Sequence, residues 1–109
     1  MTPEQNAEFI YNNASLYAQA KSERIGKELA VKITKSILMQ HAQKNGVSQL
    51  SAQERDALAD VEFLIPVKEL QEAIRQEEEL KYKLEAARLS IDIWRTREAS
   101  ERLAIRSHE

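Results

Sequence analysis

Apolar positions between Leu80 and Trp94 fall on two helical stripes rather than one. Leu80, Leu84, Ala87, Ile91 and Trp94 repeat at 4-3-4-3 spacing. Tyr82, Ala86, Leu89 and Ile93 keep the same rhythm two residues out of step, on another face. A helix that packs on one neighbour needs a single apolar stripe, so two stripes call for two neighbours. The first stripe is expected to close an intramolecular helix pair. The second (Tyr82, Ala86, Leu89, Ile93) is expected to face another copy of the chain. Trp94, at the end of the dense apolar region, is expected to anchor the core or that same interface. Its alternative role is a base-stacking platform flanked by Arg95 and Arg97. Glu77, Glu98 and Glu101 interrupt the main stripe, and polar breaks in a seam set register or oligomer state at a cost in stability.

The rest of the chain has few breakers. Thr2-Pro3-Glu4-Gln5 carries a cap, a proline suited to a first helical position and the glutamine of a capping box. A first helix is therefore expected from about residue 3 to about residue 44. Asn45-Gly46 supplies its left-handed end. Gly26 marks either a close helix approach or a weak point inside it. Ser51-Ala52-Gln53-Glu54 reads as a second capping box, opening a short helix over about residues 52–59. Ile65 before Pro66 favours an extended conformation that ends this segment. A third helix is expected over about residues 66–106, with fraying over residues 106–109. The expected fold is all-α: one domain, a long antiparallel helical hairpin with a short connecting helix, coiled-coil-like packing and an oligomeric state. Phe9, Ile10, Tyr11, Ala14, Leu16 and Tyr17 would lie alongside the Trp94 end of the third helix in an aromatic-rich layer.

Composition narrows the function. Two glycines, two prolines and 31% charged residues suit long solvated helices. The absence of cysteine excludes disulfides and thiolate metal sites. No phosphate-binding glycine loop, nucleophile elbow or metal-ligand cluster occurs, so neither an enzyme nor a cofactor is expected. His41 reads as an exposed residue in the last helical turn, where a cation is favoured. Glu77-Glu78-Glu79 reads as a solvated acidic face, because consecutive helical residues point about 100° apart and share an ion poorly. No apolar run suits a membrane span and no leader is read before the first helix, which makes the cytoplasm the expected compartment.

Charge is segregated. The net is −2 overall, but residues 21–50 carry +4 and residues 51–85 carry −5. Lys21, Arg24, Lys32 and Lys35 fall within a helical arc of about 80°, with Lys27 beside it and Lys44 further on. This stripe is a candidate for tracking a phosphate backbone, with Arg95 and Arg97 beside Trp94 as separate candidate contacts. The competing reading is a paired face, since Glu28 lies in the arc and the acidic start of the third helix would lie alongside.

The segment from Tyr17-Ala18-Gln19-Ala20-Lys21 to Met39, Ser51-Ala52-Gln53-Glu54-Arg55, Leu80-Lys81-Tyr82-Lys83-Leu84-Glu85-Ala86-Ala87 and Trp94-Arg95-Thr96-Arg97-Glu98-Ala99-Ser100 together carry a resemblance. The chain resembles small helical proteins encoded in the early regions of tailed phages and prophages. Such proteins accompany single-strand annealing and single-strand-binding proteins, which implies a recombination or replication accessory role. The layout is also similar to the UvsY-type recombination mediators, which are helical, form rings, bind single-stranded DNA and help load a recombinase. By that resemblance Lys27, Lys32, Lys35 and Lys44 stand where the mediators carry basic residues. The expected function is thus a non-enzymatic, oligomeric phage protein that binds single-stranded DNA and assists a recombinase or annealing protein. The alternative is a protein-binding module, an inhibitor or adaptor of a host protein, that presents the acidic face around Glu72–Glu79. A small virion assembly component is a third option.

Overall fold

In a computed structural model, residues 1–108 are described. They form α1 (Pro3–Lys44), α2 (Leu50–Ala59), a single 3-10 turn (Val61–Phe63) and α3 (Leu64–His108). No strand occurs among the described residues. The fold is all-α, with the two long helices α1 and α3 joined in sequence through α2 and the 3-10 turn.

The start of α1 is the capping box that its sequence encodes. The Thr2 backbone N–H donates to Gln5 Oε1 at 2.8 Å, and the Gln5 N–H donates back to Thr2 Oγ1 at 3.2 Å. The end of α1 is equally legible. Gly46 takes φ +95°, the Val47 N–H reaches back to the Ala42 carbonyl at 3.0 Å, and the Gly46 N–H reaches Gln43 at 3.1 Å. This pair of bonds is a Schellman ending, which satisfies carbonyls the helix would otherwise leave open.

The connecting segment departs from the sequence reading in two places. First, α2 starts at Leu50, with Gln49 in the cap position and no side-chain cap bond. Ser51 sits inside the first turn, and the Glu54 carboxylate accepts from Lys35 at 2.7 Å instead of closing a box. An ion pair with α1 outcompetes the local cap. Second, the break after α2 falls at Asp60, not at Ile65. Asp60 is extended (φ −72°, ψ 133°), and its side chain accepts from the Glu62 N–H at 2.8 Å, which nucleates the 3-10 turn leading into α3. Ile65 is already helical. Pro66 is tolerated two residues into α3 because first-turn N–H groups have no intrahelical acceptor to lose. At the far end, α3 is helical through His108, and Glu109, the last residue of the expected fraying end, lies outside the described residues.

The chain divides into two compact units, Met1–Ala18 with the chain from Glu78 onward, and Gln19–Glu77. In the first, α1 turns Asn6, Ile10, Asn13 and Tyr17 toward Leu80, Leu84, Ala87 and Ile91 of α3, all of them buried or half-buried. Leu84, at 5% exposure, is the centre of this layer. Asn13 satisfies its amide within α1 by donating to the Phe9 carbonyl at 2.8 Å. The expected aromatic layer does not form. Tyr11 faces solvent at 84% exposure, and Trp94 lines a shallow groove with Met1, Pro3 and Asn6 rather than with Tyr17. Tyr11 sits on the side of α1 away from the 4-3-4-3 row that packs, so its ring has no helix to meet.

In the second unit, Ala20, Arg24, Lys27, Val31, Thr34 and Leu38 continue the same 4-3-4-3 row on α1, and Pro66, Leu70, Ala73 and Glu77 continue it on α3. The row is therefore heptad-like throughout, but here it carries charge. Behind it, Gln53 of α2 is buried and donates to the Val47 carbonyl at 2.8 Å, tying the connecting helix to the end of α1. Gly26 lies on the outer side of α1, where an added Cβ would meet nothing within 4 Å, so no close approach within the chain explains it.

Candidate nucleic-acid interface and assembly faces

The basic stripe of α1 is split by ion pairing. Arg24 and Lys27 occupy seam positions, not the outer surface. Arg24 Nε donates to Glu77 on α3, while its Nη1 donates to Glu28 at 2.6 Å. Glu77, and Glu28 after it, hold the guanidinium above its ordinary pKa. Lys27 pairs with Glu69 at 3.0 Å, and Lys35 with Glu54 at 2.7 Å. Lys21, Lys32 and Lys44 make no ion pair among the described residues, and all three are exposed. Glu28, which the sequence places between Arg24 and Lys32, pairs with Arg24 and not with Lys32 among the described residues.

Glu77 changes character accordingly. It is 6% exposed and sits in the seam, so it does not belong to a solvated acidic face. Glu79 pairs with Lys83 at 3.1 Å, and Glu72 takes a two-pronged contact from Arg75 at 2.6 and 3.0 Å. Arg75 lowers the Glu72 carboxyl below its ordinary pKa. No group of three or more potential ligands that could hold a metal ion occurs among the described residues. His41 is exposed in the last turn of α1.

Arg95 and Arg97 belong to the unit that contains the N-terminus of α1, whereas all six basic candidates of α1 belong to the other. Arg95 is exposed and lies 4.0 Å from Asp92 on its own helix. Arg97 borders the groove with Trp94 and a second shallow hollow with Leu89, Ile93 and Thr96.

The second apolar stripe of α3 is not buried by any helix among the described residues. Tyr82, Ala86, Leu89 and Ile93 are all exposed, and Trp94 is 41% exposed. The stripe sits on the side of α3 roughly opposite Leu84 and Ala87, since a two-residue step turns the helix by about 200°. Beyond it, residues 99–108 are exposed on every side, Leu103 and Ile105 included.

One surface is absent from the sequence reading. On α1, Ile25, Leu29, Ile33 and Ile37 are each 46–57% exposed and lie four residues apart. Their 4-4-4 spacing differs from the 4-3 rhythm of a helix-pair seam, which is why a search for that rhythm passes over them. Counting every isoleucine and leucine of the helix against a four-residue row would have found them. No helix among the described residues is long and apolar enough to cross a membrane.

No protein-family model matches the chain, and no curated protein or solved structure is significantly similar to it.

Proposed function

We propose that this chain is a non-enzymatic accessory protein of phage DNA recombination or replication, assembling through its helices and binding single-stranded DNA. The observation that supports it is the partition of the α1 cations. Ion pairs take up Arg24, Lys27 and Lys35, and leave Lys21 and Lys32 exposed without an ion-pair partner. These two lie nearly on one line along α1, three turns or about 16 Å apart. Lys44, at the end of α1, and Arg97, on α3, add further exposed cations. A few lysines bind a phosphate backbone weakly. An oligomer that repeats them raises the effective affinity without stronger single contacts. The role would be to hold single strands for a recombinase, annealing protein or single-strand-binding protein.

Fluorescence anisotropy of a labelled oligonucleotide tests this reading. Binding should weaken steeply with salt, with a slope of about −0.7 per phosphate neutralised. Lys21→Ala with Lys32→Ala should flatten that slope, while Lys27→Ala should change it little. Absence of binding at low salt sinks the reading.

A second reading, a protein-binding module directed at a host protein, is favoured by the exposed stripe of Tyr82, Leu89 and Ile93. The acidic face is a poorer candidate for that contact, because Glu69, Glu72, Glu77 and Glu79 are each engaged by a neighbouring cation. Stoichiometric association with one host protein and no affinity for oligonucleotides would favour it.

A further inference from the structure

The outer face of α1 between Gln19 and Gln43 has an unusual make-up for a chain this charged. An arc of about 120° along it contains no charged residue. Ile25, Leu29, Ile33 and Ile37 form one continuous ridge within the arc, about half-exposed along its length. The neighbouring four-residue row is Ser22, Gly26 and Ala30, which leaves a furrow beside the ridge. At Gly26 the furrow is open space. Ridges and grooves inclined along four-residue rows interlock when two such helices cross at about −50°.

We infer that this face is a self-docking surface, whose occupant is the same face of a second copy of the chain. Three observations choose that occupant. The face carries both halves of the fit, a ridge and the furrow beside it, so a two-fold axis places each ridge in the other copy's furrow. It is uncharged, and a second copy offers an equally uncharged surface of the same length. Its period also excludes the other exposed stripe of the chain. Tyr82, Ala86, Leu89 and Ile93 repeat every 3.5 residues and suit a shallow crossing of about +20°, whereas the α1 ridge repeats every four. Two rows of different period stay in register for only a turn or two. Each stripe therefore matches its own kind.

The consequence is two distinct self-contacts on one chain, the α1 ridge and the α3 stripe. Two different two-fold contacts do not close at a dimer. They build either a closed assembly of higher symmetry or an open filament. The inference stands apart from the nucleic-acid reading and is tested without DNA.

The experiment is light-scattering mass of the full chain with four substitutions, each checked by circular dichroism. Leu29→Glu places a charge on the ridge and should lower the particle mass. Gly26→Leu fills the furrow from a position with free space in the monomer. It should therefore keep or raise helicity and thermal stability while lowering the mass, a pairing of effects that a folding defect does not produce. Leu89→Glu should lower the mass through the other stripe, and Leu29→Glu with Leu89→Glu should reach the 12.5 kDa monomer. The inference is overturned if the wild-type chain is a monomer, or if either Leu29→Glu or Gly26→Leu keeps the wild-type mass. An unchanged mass with Leu89→Glu alone counts against the α3 stripe and leaves the ridge supported. Binding of the wild type to zwitterionic vesicles, lost in Leu29→Glu with no change in mass, would overturn it in favour of a membrane occupant.

Discussion

The two ends of the helix pair use one seam pattern with opposite chemistry. Around Leu84, the seam is uncharged, built from Leu80, Ala87, Ile91, Ile10 and Tyr17 with Asn6 and Asn13 among them, and most of its stability comes from apolar burial. Around Glu77, the same positions hold Arg24 and Lys27 on α1, with Glu77 answering from α3. Area removed from water holds the first region, and its apolar positions tolerate sliding better than a charge pair does, since Asn13 satisfies its amide within its own helix. The second region does not tolerate it. A one-heptad slip would leave a nearly buried carboxylate without its guanidinium, and an uncompensated buried charge is strongly unfavourable. The comparison teaches that adhesion and register are assigned to different stretches of one helix pair.

The largest expected effect breaks the apolar side. Leu84→Ala should cost about 2–3 kcal/mol, at the low end for buried leucines because a two-helix layer collapses readily around a deletion. Urea denaturation would read it. The charged side should respond less in stability and more in uniqueness. Glu77→Ala, which leaves Arg24 with Glu28 as its remaining carboxylate, should lower the melting temperature clearly less than Leu84→Ala. Arg24→Leu with Glu77→Leu should restore or exceed wild-type stability, since apolar replacement of a buried pair is often neutral or stabilising. That double variant should also show broadened or doubled amide resonances from alternative registers, and a single sharp set would refute the register role. Gly26→Ala, made in a Leu29→Glu background where the α1 ridge is already broken, should stabilise by about 1 kcal/mol through helix propensity alone.

The smallest effect is a pH dependence. Arg75 depresses the Glu72 carboxyl in the folded chain, so this pair contributes stability above the unfolded carboxylate pKa. The contribution is lost as pH falls through the folded value, below the ordinary carboxylate range near 4.5. Both groups are exposed, so the loss should be slight and should vanish in Glu72→Gln, as read by melting temperature between neutral and acidic pH.

The limits of α1 were legible because local chemistry sets them: Thr2 and Gln5 cap each other, and Gly46 takes the left-handed turn. The limits of α2 were not. Ser51 and Glu54 have the spacing of a box, but Lys35 competes for Glu54 from another helix, and no local pattern contains that competitor. Arg24 and Lys27 were placed on a ligand-facing stripe because charge is expected outside. Yet the row Ala20, Arg24, Lys27, Val31, Thr34, Leu38 was readable as a seam once its 4-3 spacing outweighed its polarity. Ile25, Leu29, Ile33 and Ile37 escape that spacing for the reverse reason, being apolar in a row that no partner among the described residues fills.

The ion pairs that link α1 to later segments are also ordered by the length of chain they close. Lys35 meets Glu54 across 19 residues, Lys27 meets Glu69 across 42, and Arg24 meets Glu77 across 53. Loop-closure entropy grows with that separation, so the shortest loop is the least costly to form from a disordered chain. Folding should then start at the corner where Gln53 grips Val47 and advance like a zip toward Trp94. Gln53→Ala should slow refolding, whereas Leu84→Ala should mainly hasten unfolding, a split that stopped-flow measurements on the two variants would reveal.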